Sequence, residues 1–490
     1  MTLIFSGNTY KYEAESVVKL FFPAEKFDFL YEHSPRDADG DVCFLRRKNF
    51  GGNILLYAIC SVGGKTARHG VTIRAADENT AERTLCTQLF LCLCALTGKR
   101  PEWGILTGVR PVKTYTALLN GGKTQDEAAA FLRDTYLCAD AKIRLAAQTA
   151  ANQTRILSAL APDLFSLYVS IPFCPSRCSY CSFVSHTAAQ SAKLIPQYVH
   201  RLCREIEATG AIAKRLGLRL YTVYIGGGTP TVLDAPLLAA VMEAVSRSFD
   251  SSHIREYTVE AGRADTVTPE KLDVIKANGA DRISVNPQTL SDAVLAAIGR
   301  KHTAAQFYTA YNQAVQAGFR LINTDLIAGL PTDTPENFAQ TLDQITALSP
   351  ANITVHTLSI KRSSALNTDL RATLADVLTS PAHRMTDDAA QQLPAAGYQP
   401  YYLYRQKNML DNLENTGWCK PGTESAYNVL IMEEVQTILA CGAGASTKLC
   451  GLPNKGIQRS FNFKHAHEYI KRFEEVLSRK KYIEEFYGFG

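Results

Sequence analysis

The chain has 490 residues, a length that suggests two or three domains. Hydrophobic residues make up 46% and charged residues 20%, which is the balance of a soluble globular protein. The formal charge is only +5, from 52 basic and 47 acidic residues, so charge gives no argument for a nucleic-acid or membrane partner.

Neither an export signal nor a membrane segment is expected. Residues 1–12 contain Tyr, Asn, Lys and Glu where a secretory signal needs an apolar core. The most apolar window, residues 85–96, is too short to cross a bilayer and is better interpreted as a buried helix. Thirteen cysteines without an export signal indicate reduced thiols, most of them packed in the core, and a cytoplasmic location without stable membrane insertion.

Residues 1–162 are predicted to form an N-terminal α+β domain. Residues 41–45 and 53–60 are rich in β-forming residues and are separated by the turn residues Asn, Gly and Gly. Residues 77–98 and 139–160 have helical patterns, and Thr124 with Glu127 forms a capping box that predicts the start of another helix. No catalytic motif can be identified in this third of the chain from its chemistry.

From residue 163 onwards, apolar strands alternate with helical stretches. The six predicted strands are residues 165–171, 220–225, 257–261, 282–286, 322–327 and 353–358. The helices are predicted near residues 190–214, 235–248, 269–278, 303–317 and 335–347. This alternation predicts an α/β fold with parallel strands and right-handed crossovers. Six units rather than eight indicate an incomplete (β/α)6 barrel over residues 163–370, with its chemistry at the carboxyl ends of the strands.

Beyond the barrel the alternation ends. Residues 371–490 are predicted to form a mainly helical C-terminal region with some strands, including a glycine turn at Gly442-Ala443-Gly444. The predicted organisation is therefore three parts: residues 1–162, 163–370 and 371–490.

A cysteine loop follows the first barrel strand directly. Cys174, Cys178 and Cys181 are spaced C-x3-C-x2-C. Three thiolates packed this closely can hold three irons of a [4Fe–4S] cluster and leave the fourth iron open for an exchangeable ligand. A structural zinc site is the alternative, with His186 as a fourth ligand, although zinc sites usually show C-x2-C twice. A disulfide would leave one cysteine over in a reducing compartment.

Other polar motifs also follow barrel strands. The second strand ends in Gly-Gly-Gly-Thr-Pro-Thr at residues 226–231, which either makes a tight turn or lets a ligand approach the backbone closely. Glu260 ends the third strand and is either a solvated charge at the rim or an acceptor for ligand hydroxyls. Asp325 lies within the apolar fifth strand, where a carboxylate is costly unless it is paired or binds a ligand. We therefore favour a functional role for Asp325.

The cysteine spacing is similar to the signature of the radical S-adenosylmethionine (SAM) superfamily. This resemblance implies that the open iron chelates the amino and carboxylate groups of SAM, and that one electron from the cluster cleaves SAM to methionine and a 5′-deoxyadenosyl radical. It also implies that the glycine loop holds the methionyl amino group. The protein would orient the reactants and exclude water and oxygen.

The combined motifs resemble the oxygen-independent coproporphyrinogen III dehydrogenase family (HemN-like). They are the Tyr168-Val-Ser-Ile-Pro-Phe-Cys174 segment, the glycine loop, Asp325-Leu-Ile-Ala-Gly-Leu-Pro331 and the Gly442-Ala443-Gly444 turn, and the resemblance covers roughly residues 165–475. The N-terminal third, together with Val-Glu-Ala-Gly-Arg at residues 259–263, looks like the HemZ branch of this family. The resemblance implies that the three cysteines bind the cluster and that one or two SAM molecules are held by Tyr168, Tyr180, Gly227, Gly228, Thr229, Glu260, Gln288, Arg300 and Asp325.

The chain departs from the dehydrogenases at two positions. A further Cys after the third ligand is Phe183 here, and a His before the Ile-Pro-Phe-Cys motif is Ser170. A second subgroup of the family comprises haem chaperones, which lack the extra Cys and carry His-Asn followed by Tyr-Trp in the C-terminal region. Here the matching segment has Tyr427-Asn428 and lacks the Trp, which argues against haem ligation of that type.

The resemblance therefore predicts an enzyme that oxidatively decarboxylates coproporphyrinogen III to protoporphyrinogen IX. The implied partners are the tetrapyrrole substrate and a reducing electron donor such as flavodoxin or ferredoxin. A haem chaperone and a radical SAM enzyme acting on another tetrapyrrole are the alternatives. For the substrate's carboxylates we expect a contact from at least one of two basic pairs, Lys361 with Arg362 or Arg405 with Lys407.

Overall fold

The computed structural model describes residues 1–23, 25–35, 38–74, 77–181, 186–359, 382–406, 409–452 and 455–488, with the backbone alone at residue 411. By their contacts these residues form two compact units. The first consists of Met1–Ala150 and Tyr404–Glu414, and the second consists of Ala151–Leu403 and Asn415–Gly490. The predicted boundaries after residues 162 and 370 remain a prediction.

The first unit contains a five-stranded sheet, which agrees with the predicted α+β character. Its strands are β1 Thr2–Ser6, β2 Asp28–Tyr31, β3 Val42–Phe50, β4 Asn53–Val62 and β5 Lys65–Arg74, in the order β2-β1-β3-β4-β5. Strand β1 is parallel to β2 and β3, whereas β3, β4 and β5 are antiparallel. Alternate residues of β4 are buried, because one face of the sheet packs against helices α1 Lys11–Phe21 and α2 Glu78–Thr97.

Three further helices follow in the chain: α3 Pro111–Asn120, α4 Gln125–Tyr136 and α5 Asp140–Leu157. The predicted capping box begins α4, since the Glu127 amide donates to Thr124 Oγ1 at 3.2 Å and the Thr124 amide donates to Glu127 Oε2 at 2.8 Å. Residues 404–414 belong to this unit although they come from the far end of the chain.

The second unit is built on the predicted barrel strands. In chain order the strands are β6 Leu164–Ile171, β7 Phe173–Cys174, β8 His186–Thr187, β9 Arg219–Gly227, β10 Glu256–Glu260, β11 Arg282–Ser284, β12 Leu321–Ala328 and β13 Asn352–Thr357. The helices are α6 Ala188–Ser191, α7 Ile195–Arg215, α8 Ala235–Ser248, α9 Pro269–Ala277, α10 Asp292–Ala297, α11 Ala304–Gln316 and α12 Pro335–Leu348. Strands β6, β9, β10, β11, β12 and β13 are neighbours in that order and all parallel, as predicted.

Local sequence explains where the crossover helices begin. The side chains of Asp234, Thr268, Thr303 and Thr334 each accept a hydrogen bond from a backbone amide in the first turn of α8, α9, α11 and α12, respectively. Each helix therefore starts one residue after its capping side chain. Because the caps follow the loops at the strand ends, they also fix the lengths of those loops.

The C-terminal region extends the same sheet at both edges. Its strands are β14 Gln399–Tyr404, β15 Asn415–Cys419, β16 Thr437–Cys441, β17 Ser446–Leu449 and β18 Gln458–Phe461, and its helices are α13 Ala382–Ala395, α14 Ala426–Glu433, α15 Ala466–Lys471, α16 Phe473–Arg479 and α17 Lys481–Tyr487. Strand β16 pairs in parallel with β6, and β15 pairs antiparallel with β13. The result is an 11-stranded sheet with β14 and β18 at its edges. None of the helices in the described part of the chain is long and apolar enough to cross a membrane.

Candidate active site

The cysteine loop begins at the carboxyl end of β6, where the sequence analysis expected the chemistry. Cys174 ends β7, which pairs with β8. Cys178 is buried, whereas Cys174 and Cys181 are partly exposed. Thr229 from the loop after β9 donates its hydroxyl to Cys174 Sγ at 3.6 Å. The first thiol is therefore in contact with the neighbouring strand-end loop.

The glycine loop packs directly against the cysteine loop. A Cβ atom on Gly228 would lie 2.5 Å from the Phe173 carbonyl oxygen and 3.0 Å from Cys174 Sγ, so no larger residue fits without a backbone shift. The Gly228 and Thr229 amides donate to the carbonyls of Ile171 and Phe173, each at 2.8 Å. The glycines therefore make a tight turn and bring the backbone close to the thiol, whereas close approach of a ligand to this loop stays a prediction.

Glu260 at the end of β10 faces the same glycine loop. Tyr224 donates its hydroxyl to Glu260 Oε1, and a Cβ on Gly226 would lie 2.9 Å from Glu260 Oε2. Burial raises the pKa of Glu260 to about 7, and the nearby Asp325 carboxylate adds to this effect. A buried carboxyl with a pKa raised in this way is a candidate functional group, which agrees with the predicted role of Glu260 as an acceptor for ligand hydroxyls.

Asp325 on β12 and Gln288 in the loop after β11 lie close together. Asn286 Nδ2 donates to Asp325 Oδ2 at 2.9 Å, and His356 Nε2 lies 3.7 Å from the same oxygen. The Gln288 amide donates to the Asp325 carbonyl at 2.9 Å, and Gln288 has a φ of 69°, in the left-handed region that non-glycine residues seldom occupy. Backbone strain of this kind concentrates at functional sites, so the position of Gln288 supports a functional role.

Arg300 joins the cysteine loop to the loops after β10 and β11. Its guanidinium donates to the Asn286 carbonyl at 2.8 Å, the Gly262 carbonyl at 3.2 Å and the Tyr180 hydroxyl at 3.2 Å. Its Nε is buried and has no hydrogen-bond partner within the described ranges. Burial raises the pKa of Tyr180 well above its ordinary value, so this phenol stays neutral beside the guanidinium.

Arg263 is a site residue that the sequence analysis quoted in a motif but assigned no role. It is buried, and its guanidinium donates to Cys178 Sγ at 3.6 Å and to Ser176 Oγ at 3.0 Å, while Asp265 pairs with its other edge at 3.1 Å. The contact therefore places a buried cation beside one of the three predicted cluster ligands. Its place three residues after the strand-end Glu260 was the only sequence signal for it.

Aromatic rings cover the carboxyl ends of β6 and β9. The Tyr224 ring stacks on Tyr427 at 4.4 Å between centroids, and Tyr168 stacks on Tyr224 and Tyr427 at 6.2 and 6.3 Å. Tyr168 was predicted as a SAM contact, whereas Tyr427 comes from α14 in the C-terminal region. These three tyrosines, the tyrosine stack, add an apolar wall beside Glu260.

The chemistry of the thiols fits a cluster better than a single zinc ion. Zinc bound by thiolates at about 2.3 Å in a tetrahedron would hold its ligands about 3.8 Å apart. Within the described residues, the three cysteine sulfurs do not all lie within 4.8 Å of one another. The group of three potential ligand atoms that do lie this close consists of histidine nitrogens. Cys174, Cys178 and Cys181 would hold three irons, with Arg263 and Thr229 donating to two of the sulfurs.

The structure brings the predicted site residues to one end of the sheet but excludes one proposed substrate contact. Arg405 is buried in the N-terminal unit, where its guanidinium donates to the carbonyls of Leu106 and Asn412 and lies 5.7 Å from the Trp103 ring. The hypothesis that Arg405 holds a substrate carboxylate is therefore wrong, because the side chain is buried and both terminal nitrogens of its guanidinium already donate to backbone carbonyls. Lys361, Arg362 and Lys407 lie outside the described residues.

Comparisons with known proteins agree with this site. A model of the radical SAM superfamily matches residues 168–345. The chain is 40% identical over 403 residues to the oxygen-independent coproporphyrinogen-III oxidase-like protein HemZ of Bacillus subtilis, which covers 81% of this chain and 79% of that protein. It is 31% identical over 321 residues to the heme chaperone HemW of Lactococcus lactis, and this match covers 65% of this chain and 79% of that protein.

A solved structure shows the same fold. Coproporphyrinogen III oxidase (HemN) from Escherichia coli, a radical SAM enzyme, matches with a TM-score of 0.52 at 24% identity and covers 67% of this chain and 73% of that one. The superfamily uses a [4Fe–4S] cluster and SAM, as the cysteine spacing predicted. The chain belongs to the radical SAM superfamily and, within it, to the family of oxygen-independent coproporphyrinogen-III oxidase-like proteins.

Proposed function

We propose that the protein is a radical SAM oxidoreductase that converts coproporphyrinogen III to protoporphyrinogen IX without oxygen. Cys174, Cys178 and Cys181 hold the cluster. SAM would be held by residues of the cysteine loop and of the ends of β9, β10 and β12, namely Tyr168, Tyr180, Gly227, Gly228, Thr229, Glu260, Gln288, Arg300 and Asp325. A reducing protein such as flavodoxin or ferredoxin supplies the electron.

The cluster and SAM together supply a radical able to remove a hydrogen atom from an unactivated carbon. Each of two substrate propionates would lose one hydrogen atom from its β-carbon, the carbon bonded to the ring, and then CO2 and one electron, which leaves a vinyl group. The electron passes to an acceptor. Glu260 and Asp325 orient SAM through its hydroxyl and amino groups, and the tyrosine stack keeps water away from the reacting carbon.

The environment of Tyr427 is the observation that favours an enzyme over a haem chaperone. This residue stands where the family's haem chaperones have a histidine, and it is 4% exposed within the tyrosine stack. Burial holds the pKa of its phenol well above the ordinary value, with the Tyr168 and Glu260 groups adding to the shift. Ligation of haem iron by tyrosine needs the phenolate, so this position is unsuited to haem binding.

The test is anaerobic turnover. Reconstituted protein, SAM, a chemical reductant, an electron acceptor and coproporphyrinogen III should yield a product that has lost two carboxyl groups, detected by mass, together with methionine and 5′-deoxyadenosine. The Cys178→Ser variant should give none of these products. Cys203→Ser is the control, because Cys203 is a partly buried thiol of the same unit that lies on α7, outside the cysteine loop.

Two results would contradict the proposal. Stoichiometric haem binding by the isolated protein, without decarboxylation, would support the chaperone. SAM cleavage that is stimulated by a different tetrapyrrole, with coproporphyrinogen III unchanged, would support the third hypothesis.

A further inference from the structure

Three histidines lie together beside the cysteine loop and take no part in the site described above. His186 begins β8, His465 precedes α15, and His467 lies in the first turn of α15. Their ring centroids are 5.5–6.3 Å apart, and one ring nitrogen from each lies within 4.8 Å of the other two. The sequence analysis considered His186 only as a fourth zinc ligand for the cysteines, whereas the structure groups it with two other histidines.

Two of these ring nitrogens are buried without a partner. Among the described residues, nothing hydrogen-bonds to His186 Nε2 or His465 Nδ1. Buried polar atoms are nearly always paired, so two unpaired ring nitrogens within a cluster of three histidines indicate a missing ligand.

We propose that His186, His465 and His467 bind one divalent transition-metal ion of the zinc class through three imidazoles, at a site separate from the cluster. Imidazole nitrogens suit zinc, copper, iron and nickel, whereas calcium and magnesium take oxygen ligands. Nitrogens at about 2.0–2.1 Å from a tetrahedral ion lie about 3.4 Å apart. Small side-chain rotations would therefore bring the three histidine nitrogens to the spacing that the ion requires. His467 is exposed, so the fourth position faces solvent and takes water.

The site would tie the end of the cysteine loop to the C-terminal helices. The His186 amide donates to the Pro172 carbonyl at 3.0 Å, and the pairing of β7 with β8 sets Phe173 opposite His186 and Cys174 opposite Thr187. An ion that joins β8 to α15 therefore restrains the strand next to the first cluster ligand. Its role is structural, and the thiols remain free for iron.

Zinc binding can be measured without relying on catalysis. Protein with a reconstituted cluster is treated with a chelator and titrated with Zn²⁺ against a chromophoric competitor. We expect one zinc per chain in addition to the cluster iron. Zinc K-edge absorption should show nitrogen or oxygen neighbours at about 2.0–2.1 Å. The Cys174→Ser variant should bind zinc with unchanged affinity.

Single-ligand variants give the controls. His465→Ala and His467→Ala should each weaken zinc binding at least about tenfold. Substituting a residue that only hydrogen-bonds to a metal ligand already lowers metal affinity by this factor. His200→Ala and His253→Ala, both at exposed positions, should bind like the parent. His467 is exposed, so its variant should fold normally, and an unchanged Tm in the metal-free state checks this.

Three outcomes would overturn the site. Sulfur neighbours at about 2.3 Å would mean that zinc had entered the cysteine loop. Equal affinity in all histidine variants would mean an adventitious ion only. Failure to retain any zinc above the competitor's background would remove the proposal.

Discussion

The N-terminal unit and the strand-end site both bury charged side chains, but they satisfy them differently. In the N-terminal unit, Lys142 Nζ lies 2.7 Å from Glu414 Oε1 and 3.0 Å from Glu102 Oε2, and Trp103 Nε1 donates to Glu414 at 2.7 Å. Burial alone would lower the pKa of Lys142, but the two carboxylates outweigh it and raise the pKa above the ordinary value. The charges compensate one another within the unit.

At the strand-end site the charged groups keep unused hydrogen-bonding capacity. Arg300 Nε has no partner in the described part of the chain, and burial raises the pKa of Glu260 to about 7. Paired buried charges such as Lys142 hold structure together. An unpaired donor alone does not mark a ligand site, because Arg405 Nε in the N-terminal unit also has no partner among the described residues. At the strand-end site the unpaired donor accompanies a buried carboxyl whose pKa is raised, which is typical of functional sites. The predictions below test this distinction.

The largest effect is expected at the cysteine loop. Cys174→Ser, Cys178→Ser and Cys181→Ser should each abolish SAM cleavage, because each removes one of three iron ligands. Parent protein should take up about four irons per chain, as measured by iron analysis and optical absorption after anaerobic reconstitution. Cys203→Ser should retain the parent's iron. Equal loss in Cys419→Ala or Cys441→Ala would mean that the ligand set is incomplete.

The next largest effect concerns stability of the N-terminal unit. Lys142→Met should destabilise it by about 3–5 kcal/mol, because the buried Glu414 carboxylate would lose its counter-ion. Urea unfolding followed by Trp103 fluorescence in a Trp418→Phe background would measure this, while cluster iron and SAM affinity stay unchanged. Lys113→Met, at an exposed position, is the control. A simultaneous loss of SAM affinity would contradict the separation of roles.

A smaller effect is expected for SAM contacts. Glu260→Gln and Asp325→Asn should weaken SAM binding about tenfold to a hundredfold, which corresponds to about 1.5–3 kcal/mol for a charge-assisted hydrogen bond. Iron content should not change, and Glu270→Gln on the exposed face of α9 should bind like the parent. Since the pKa of Glu260 is about 7, parent affinity should fall as pH decreases from 8 to 6, whereas Glu260→Gln should stay flat. Loss of the cluster in either variant would make that residue structural.

The smallest effect is the pH dependence contributed by His302. Burial lowers its pKa to about 4, and the nearby cations of Arg300 and Arg263 contribute. The pKa of His302 is lower in the folded state than in the unfolded state. Its contribution to the free energy of unfolding is therefore complete above pH 6.5 and is lost as pH falls from 6.5 through 4. Between pH 7.5 and 5 this group should cost about 2 kcal/mol.

His302→Leu should flatten that slope, measured by urea unfolding of cluster-free protein at several pH values. His253→Leu, at an exposed position, should leave it unchanged. An unchanged slope in His302→Leu would place the pH dependence elsewhere.

Much of the fold was predictable because its signals are local. All six barrel strands were predicted within about two residues of their observed ends, since each is an apolar run of strand length between turn residues. The capping box at Thr124 and the Gly442 turn were also confirmed. The assignment of Cys174, Cys178 and Cys181 as cluster ligands also rests on a local signal, because three thiols within eight residues can reach one cluster in almost any loop, and it stays a prediction.

Other features depended on pairing across long sequence distances. The sequence determined the strands, the crossover helices and the cysteine loop, because each depends on neighbours within a few residues. Only the tertiary structure decided that β15 and β16 extend the sheet, that Arg405 is buried, that Arg263 reaches Cys178, and that His186 meets two histidines near the C-terminus. These contacts join residues far apart in the chain, and packing rather than local propensity selects which distant partners meet.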